Sequence, residues 1–558
     1  MNDLTFLNSS SASNNWAISG KKSQTGKPIL SNDMHLALNS PGVWMQLHQV
    51  VPGKLNVTGV MFPGEPFIIA GHNDKIAWGM TNMVVDGIDL YLEKINPESQ
   101  NQYFFNGKWH DMDVREEKIF VRKGDTDIVQ IRSTHRGPLI SGYRDTGASA
   151  VSMKWSGQDE SDEVRSAYLL NRAKNWTLFR EAISAFRTVS QNFVYADTEG
   201  NIGLSTGGGI PLRKSNGNFL RSGETDEFDW RGYVPFVLLP FTYNPSENYL
   251  ASANNRTVGE DYPYYINYCF ATPYRFDRIR HMLEEKDNLS IDDFTAIIND
   301  KHSECASLLL PYLLQIDSGK YLLSDMEKDV LAELKNWDLE MSEEKICPKI
   351  FEYFRLALLE NLLSDELGEI FDDLCPKLAD NILFHTAKTG TCDWIDNINT
   401  SEKETIDDIV LLSFRQCLQD LSEVAGKNAD RWQWGRIHTL RLEHPLGSSK
   451  LLNFIFRFNS HTYPIGGGDH TINMFCSSSS GFKVNIGPSV KNIFNTSNWD
   501  DSLTVIPTGA SGIPGSEFYL SQTDSYVSGS LYKDHFSKEA VLASSKYKLV
   551  LIPLTDKP

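Results

Sequence analysis

A chain of 558 residues is long enough to bury a large core and to divide into several folding units. Its 41% hydrophobic and 22% charged content is that of a globular protein and excludes a disordered one. A formal charge of −19 without any dense Lys/Arg run argues against nucleic acid as a partner, and no apolar run approaches the roughly 18 to 20 residues that cross a bilayer.

Near the start, Ser10-Ser11-Ala12-Ser13-Asn14-Asn15-Trp16-Ala17-Ile18 sets a hydroxyl between small residues at the mouth of a strand. Asn32-Asp33-Met34-His35-Leu36 then offers an imidazole. Composition alone reads the first segment as a frayed terminus; the alternative makes Ser13 a nucleophile. From about Trp16 to Thr272 short β-branched and aromatic runs are broken by Gly, Pro, Asn and Asp, as in Ile119-Phe120-Val121-Arg122 and Val129-Gln130-Ile131-Arg132. One helix is predicted within this sheet-rich region, from Ser161 to about Phe186, on the spacing of Val164, Ala167, Leu170, Leu178, Ala182 and Phe186.

From about Arg275 to Ala425 helical periodicity takes over, with starts expected at Ser290, Ser324 and Ser401. Strand character returns after about Asn428, with Gly-rich turns at Gly466 to Gly468 and Gly509 to Gly515. Strands flanking a helical insert, without alternating βα units, indicate an α+β architecture. Seven cysteines, with no C-x-x-C pair, mark neither a disulfide framework nor a zinc site and read as mostly buried thiols.

Three further segments carry a resemblance. They are Pro63-Gly64-Glu65-Pro66 running on to Trp78-Gly79-Met80-Thr81-Asn82, then Gln191-Asn192-Phe193-Val194-Tyr195-Ala196-Asp197, then Ala253-Asn254-Asn255-Arg256 followed by Pro273-Tyr274-Arg275. With Gly466-Gly467-Gly468-Asp469-His470 and Gly487-Pro488-Ser489 downstream, their order and spacing resemble the β-subunit of the penicillin amidase family of N-terminal-nucleophile hydrolases, from about Ser13 to Phe536. The resemblance implies a four-layer αββα sandwich with a helical insertion. It divides the chain into a spacer or pro-segment remnant (1–12), a first sandwich part (13–274), a helical subregion (275–425) and a β-rich part completing the sandwich (426–558).

A serine hydroxyl needs a base, and an N-terminal serine carries its own α-amine, with a pKa near 7.7 to 8.0. Ser13 is internal, so its nitrogen is an amide. Family behaviour implies autocatalytic cleavage of a zymogen between Ala12 and Ser13 by an N-to-O acyl shift. By the same resemblance Asn254 supplies a side-chain amide and Asn82 a backbone N–H to the oxyanion. His35 orients the nucleophile, and Arg275 stands near the active-site entrance. The acyl pocket maps onto Leu36, Ile69, Ala70, Met80, Val84 and Gln191, a mainly aliphatic set that favours an aliphatic or mixed acyl group over phenylacetyl.

The resemblance also implies a structural Ca²⁺ held by Asp86, Ile88, Asp89 and the Pro211 carbonyl, although Tyr264-Tyr265 stands where another acidic ligand is expected. No organic cofactor is implied. The expected function is hydrolysis of the amide bond of an N-acyl small molecule, with an α-subunit, absent from this chain, completing a heterodimer. Relatives are periplasmic or secreted, but the first residues lack a basic flank leading into an apolar stretch, so the compartment stays open. Two alternatives remain at this stage: a non-catalytic β-subunit fragment acting at most as a binding module, and a conventional serine hydrolase. The latter lacks a G-x-S-x-G elbow, since Gly509-Ala510-Ser511-Gly512 has no closing glycine.

Overall fold

The computed structural model describes residues 12–141, 150–317, 319–426, 428–477 and 481–551. Of the expected spacer, only Ala12 falls within them. Thirteen strands build two large sheets. In chain order they are β1 (Ala12–Ile18), β2 (Ile29–Ala37), β3 (Met45–Val51), β4 (Leu55–Met61), β5 (Ala70–Asn73), β6 (Ile76–Asn82) and β7 (Gln191–Asp197). There follow β8 (Ile202–Gly207), β9 (Phe241–Tyr243), β10 (Tyr249–Ser252), β11 (Ile486–Asn495), β12 (Leu503–Val505) and β13 (Tyr532–Lys533). One sheet has the order β10-β1-β2-β11-β12-β13 and the other β9-β8-β7-β6-β5-β4-β3.

Alternation of side chains along each strand gives each sheet an inner and an outer face. Ala17, Leu30 and Phe494 from the first sheet meet Ala77, Val194 and Ile202 from the second in one apolar cluster between them. On the outer face of the second sheet, helices α1 (Glu163–Leu170) and α2 (Trp176–Ile183) bury Leu170, Phe179 and Ile183 against Trp78, Phe193 and Tyr195. On the outer face of the first, α3 (Tyr274–Glu285) and α4 (Ile291–Ile298) bury Ile279, Leu283 and Phe294 against Trp16, Ile18 and Ile493. The result is an αββα sandwich, and β11, more than 440 residues downstream of β2, lies beside it in the same sheet.

Five further helices, α5 (Glu304–Gln315), α6 (Asp325–Lys335), α7 (Cys347–Leu367), α8 (Pro376–Thr389) and α9 (Ile406–Ala425), share a separate core that includes Leu313, Phe351, Phe354, Leu362, Phe414 and Leu421. The helical stretch beginning at Arg275 thus serves two purposes: its first two helices are a sandwich layer and the remainder forms the insertion.

Several local expectations change. The helix predicted over Ser161–Phe186 is two helices: α1 ends at Leu170, the Asn171 side chain at its C-cap exchanges hydrogen bonds with the Ile68 main chain (2.9 and 2.7 Å), and Asn175 caps a second start. Capping boxes stand at Ser290 and Ser324 as expected, but the last start is Thr405, whose partner is Asp408, and not Ser401. Only Ile119 of Ile119–Arg122 is in a strand; the following residues form the turn of a hairpin between Asp113–Ile119 and Asp127–Ser133.

Candidate active site

Ser13 lies in β1, opposite Met34 of β2. On this register Ser13, Asn15 and Ala17 face the gap between the sheets, whereas Ala12, Asn14 and Trp16 face the helices. Asn15 crosses the gap, its Nδ2 donating to the Asn192 carbonyl of β7 at 3.1 Å. Asn32 of β2 crosses it too: its Nδ2 donates to the carbonyls of Asn14 and Met80 (2.9 Å each). That approach requires Gly79 in β6, where an added Cβ would lie 2.5 Å from the Asn32 side chain. The mouth of β1 is therefore fixed against both neighbouring strands.

Around Ser13 the structure brings together three of the predicted residues. The Ser13 main-chain N–H donates to Asn254 Oδ1 at 2.7 Å, and Asn254 Nδ2 donates to the Asn82 carbonyl at 2.8 Å. Arg275 Nη1 donates to the Ser13 carbonyl (2.9 Å) and Asn14 Oδ1 (2.7 Å), while Nη2 reaches Asn254 Oδ1 at 3.2 Å. The Ser13 hydroxyl donates to the carbonyl oxygen of Ala12, the adjoining upstream peptide. Asn254 adopts φ 62°, left-handed backbone that Asn tolerates better than most residues and that turns its carboxamide towards β1.

Arg275 does not stand at an entrance. It is 4% exposed at the start of α3, and burial pulls its pKa down to about 10, against the opposing attraction of Asp33. Its guanidinium is committed to the main chain and amides of the site. The adjacent Arg278 pairs instead with Asp300 at 2.8 Å.

His35 sits opposite Ala12, on the helical side of the sheet. Its Nε2–H donates to Asp33 Oδ2 at 2.6 Å and lies 3.4 Å from Asn14 Nδ2; Nδ1 is buried with no hydrogen-bond partner. Among the described residues the Ser13 hydroxyl is not one of its partners, so its link to the nucleophile runs through Asn14 and the strand. Burial holds the ring below the ordinary imidazole range, opposed by Asp33 and reinforced by Arg275 and Lys491. Lys491 of β11, opposite Asp33, donates to Asn299 Oδ1 (2.7 Å) and Asn473 Oδ1 (2.9 Å).

Asn14, Asn32 and Asp33 belong to this polar core and were absent from the sequence-derived set. A period-two reading of β2 would have found Asp33, since residues 33 and 35 must share a face.

The predicted acyl-pocket residues separate. Leu36, Ile69, Ala70 and Met80 pack into the apolar cluster containing Trp44, Ile68 and Trp78. Gln191 lies opposite Asn82 in the β7–β6 register. Val84, whose φ of 59° is strained for a β-branched residue, borders a 470 Å³ cavity that also touches Asn82, Val85, Ile88, Leu90 and Val189.

The residues proposed for calcium do not fit a divalent cation. Arg213 Nε lies 2.8 Å from Asp89 Oδ2, and its Nη2 donates to the Asp86 carbonyl at 2.7 Å. Arg221 stands 3.8 Å from the other Asp89 oxygen, Trp230 donates to Asp89 at 2.5 Å and Tyr265 to Asp86 at 3.0 Å. Two guanidiniums already face two carboxylates, so an added Ca²⁺ would bring uncompensated charge into a buried space. Pro211 pairs with Tyr233 in an isolated bridge, and among the described residues no cluster of three or more His, Cys, Asp or Glu is poised for a metal.

Comparison with known proteins agrees with this architecture. The chain is 25% identical to the acyl-homoserine lactone acylase QuiP of Pseudomonas syringae pv. syringae over 95% of its own length and 66% of that protein's. It is 27% identical to the penicillin acylase 2 proenzyme of Pseudomonas sp. over 97% of its length and 69% of that protein's. The chain thus spans about two thirds of these relatives. The solved thermostable penicillin G acylase from Alcaligenes faecalis superposes with a TM-score of 0.72 over 98% of this chain and 100% of the matched chain, at 20% identity, which establishes the shared fold. The penicillin amidase family profile matches residues 2–543, and the chain belongs to that family.

Proposed function

We propose that the protein is an acylase that hydrolyses the amide bond of an N-acyl small molecule through an acyl-enzyme on Ser13, after autocatalytic scission between Ala12 and Ser13. The observation that carries this reading is the position of Ser13 itself: its nitrogen is held by the Asn254 carboxamide and its hydroxyl touches its own upstream carbonyl. Attack of Oγ on the Ala12 carbonyl carbon, with rupture of the Ala12–Ser13 C–N bond, yields an ester and a free amine. Hydrolysis of the ester then releases Ala12 as a carboxylate.

The liberated α-amine remains beside Asn254 and accepts the hydroxyl proton when Ser13 attacks a substrate carbonyl. Asn254 Nδ2 has a second N–H beyond the one it gives to the Asn82 carbonyl, and that N–H together with the main-chain N–H of Asn82 supplies the donors for the developing oxyanion, a type of contact worth about 3 to 4 kcal/mol. Arg275 fixes the Ser13 carbonyl so that the new terminus does not drift. The cavity beside Asn82 is lined by Val84, Val85, Ile88 and Leu90 together with Phe219 and Tyr268, a mixture that supports an aliphatic or mixed acyl group.

Relatives named for both acyl-homoserine lactones and penicillin support the N-acyl substrate class. Because these relatives are about half as long again as this chain, we assign the remaining pocket walls to an α-subunit. The alternative of an inert fragment is disfavoured by a site whose polar groups are buried and mutually hydrogen-bonded.

Mass spectrometry of the purified protein, together with turnover of an N-acyl homoserine lactone, a phenylacetyl amide and a penicillin, tests the reading. A chain beginning at Ser13 that releases free amine, and a Ser13→Ala variant that is neither cut nor active, are expected. An uncut chain inert towards all three substrates, also when supplied with an α-chain, would refute it.

A further inference from the structure

A pair of cysteines plays no part in the chemistry above. Cys375 is the N-cap of α8, followed by Pro376 at the first helical position, and Cys269 lies in the loop preceding α3; both line the cavity that adjoins Asn82. The loop is fastened to the first turns of α8. Asn381 Nδ2 donates to the Phe270 carbonyl at 2.9 Å and lies 3.9 Å from Cys269 Sγ, while its hold on the Lys377 carbonyl (2.7 Å) keeps it in the helix. At its other end Asn267 donates to the Val84 carbonyl at 2.6 Å.

The two cysteines therefore line one cavity wall from segments more than a hundred residues apart. The Cys269 thiol donates to Cys375, and the first N–H groups of α8 and the Lys377 ammonium also favour its thiolate, so the Cys375 pKa falls well below the ordinary thiol range. The Cys269 thiol is pushed upward by the same contact and by burial. Cys305, Cys347, Cys417 and Cys476 are buried, and the thiols of all four are pushed upward by burial.

We propose that Cys375 and Cys269 are a reactive dithiol that small-molecule disulfides convert to an intramolecular disulfide, stapling the loop before α3 to the N-terminus of α8 along the cavity wall. The Cys375 thiolate attacks one sulfur of the small disulfide, forming a mixed disulfide and expelling one small thiolate. Cys269, its proton lost to solvent, attacks the Cys375 sulfur and expels the second. Two protein thiols are oxidised and one small disulfide is reduced to two thiols.

The test uses the whole chain and does not depend on acylase activity. Limiting iodoacetamide at pH 6.5 should alkylate Cys375 at least about tenfold faster than Cys392, the other partly exposed cysteine. Oxidised glutathione should yield a Cys269–Cys375 cross-linked peptide and a chain lighter by two hydrogens. Cys269→Ser should stop at a stable glutathione adduct on Cys375. Faster alkylation of Cys392, or the absence of the cross-linked peptide from the oxidised wild-type chain, would overturn the proposal even if the Cys269→Ser variant does not fold.

Discussion

Asn254 Oδ1 accepts two hydrogen bonds at once, from the Ser13 main-chain nitrogen at 2.7 Å and from Arg275 at 3.2 Å. One carboxamide therefore joins the Ser13 nitrogen, which the proposed scission would free as an amine, to the buried cation that holds the same residue's carbonyl. Its other end donates to Asn82, across to the second sheet. The site is a bridge between the two sheets, and Asn254 is its central span.

Removing that span should reduce turnover far more than stability. Asn254→Gly keeps the left-handed backbone accessible while deleting the amide, so kcat for an N-acyl substrate should fall by about 10² to 10³. Steady-state kinetics on the processed enzyme measures this, and a loss confined to KM would contradict an oxyanion role.

Arg275 is expected to act through Ser13 and not through substrate charge. Arg275→Met leaves the Ser13 carbonyl, Asn14 Oδ1 and one Asn254 contact without their buried cation, a loss of roughly 3 kcal/mol or more. Activity should drop equally for neutral and carboxylate-bearing substrates in Arg275→Lys. A selective loss for the anionic substrate would instead place the guanidinium in the binding pocket.

The close approach at Gly79 makes a sharp packing prediction. Gly79→Ala forces its methyl within 2.5 Å of Asn32 and should cost about 1 to 3 kcal/mol in urea denaturation. Combined with Asn32→Gly, the penalty should be smaller than the sum of the two single changes, since the second makes room for the first.

Because Arg213 already neutralises Asp86 and Asp89, millimolar chelator or added Ca²⁺ should leave the thermal midpoint of the wild-type chain unchanged. Arg213→Ala, which strands buried carboxylates, should destabilise by roughly 3 to 5 kcal/mol. A midpoint that falls with chelator in the wild type would restore the metal.

Lys491 sets an alkaline pH dependence. Burial pulls its pKa from 10.5 down to about 8, with Asp33 opposing. Between those values the unfolded chain holds more protons than the folded one, so stability rises with pH and is lost again as pH falls through 8. The gain from pH 8 to 9.5 should be about 2 kcal/mol. Urea midpoints across that range should rise in the wild type and stay flatter in Lys491→Met; parallel slopes would show that the ammonium is not buried in solution.

Much of this was legible in the residues. The motifs around Ser13, Asn82, Asn254 and Arg275 pointed to a cluster that the fold brings together, and the αββα layering followed from the family resemblance. What was missed has physical reasons. The end of α1 is tied through the Asn171 side chain to Ile68, about a hundred residues away, which no local periodicity reveals. The burial of Arg275 and the occupation of the acidic turn by Arg213 depend on which segments pack together, because a guanidinium reads the same in sequence whether it faces solvent or a carboxylate. The placement of the acyl-pocket set, four of whose residues share one apolar cluster, was not legible for a similar reason: apolar side chains suit both a core and a cavity wall, and only the sheet face decides between them.

The pairing of Ser13 with Met34 in β1 carries one further implication. Under the proposed scission, which peptide is cut would be counted off by parity along a pleated ribbon. Deleting or inserting a single residue between Ser13 and Asn15 would deliver the hydroxyl to the helical side, beside Arg275 and Asp33, with its nitrogen turned away from Asn254. Only changes of two residues would restore the side, and they would shift the terminus by almost 7 Å along the strand. Segment length at this point is thus as constrained as residue identity.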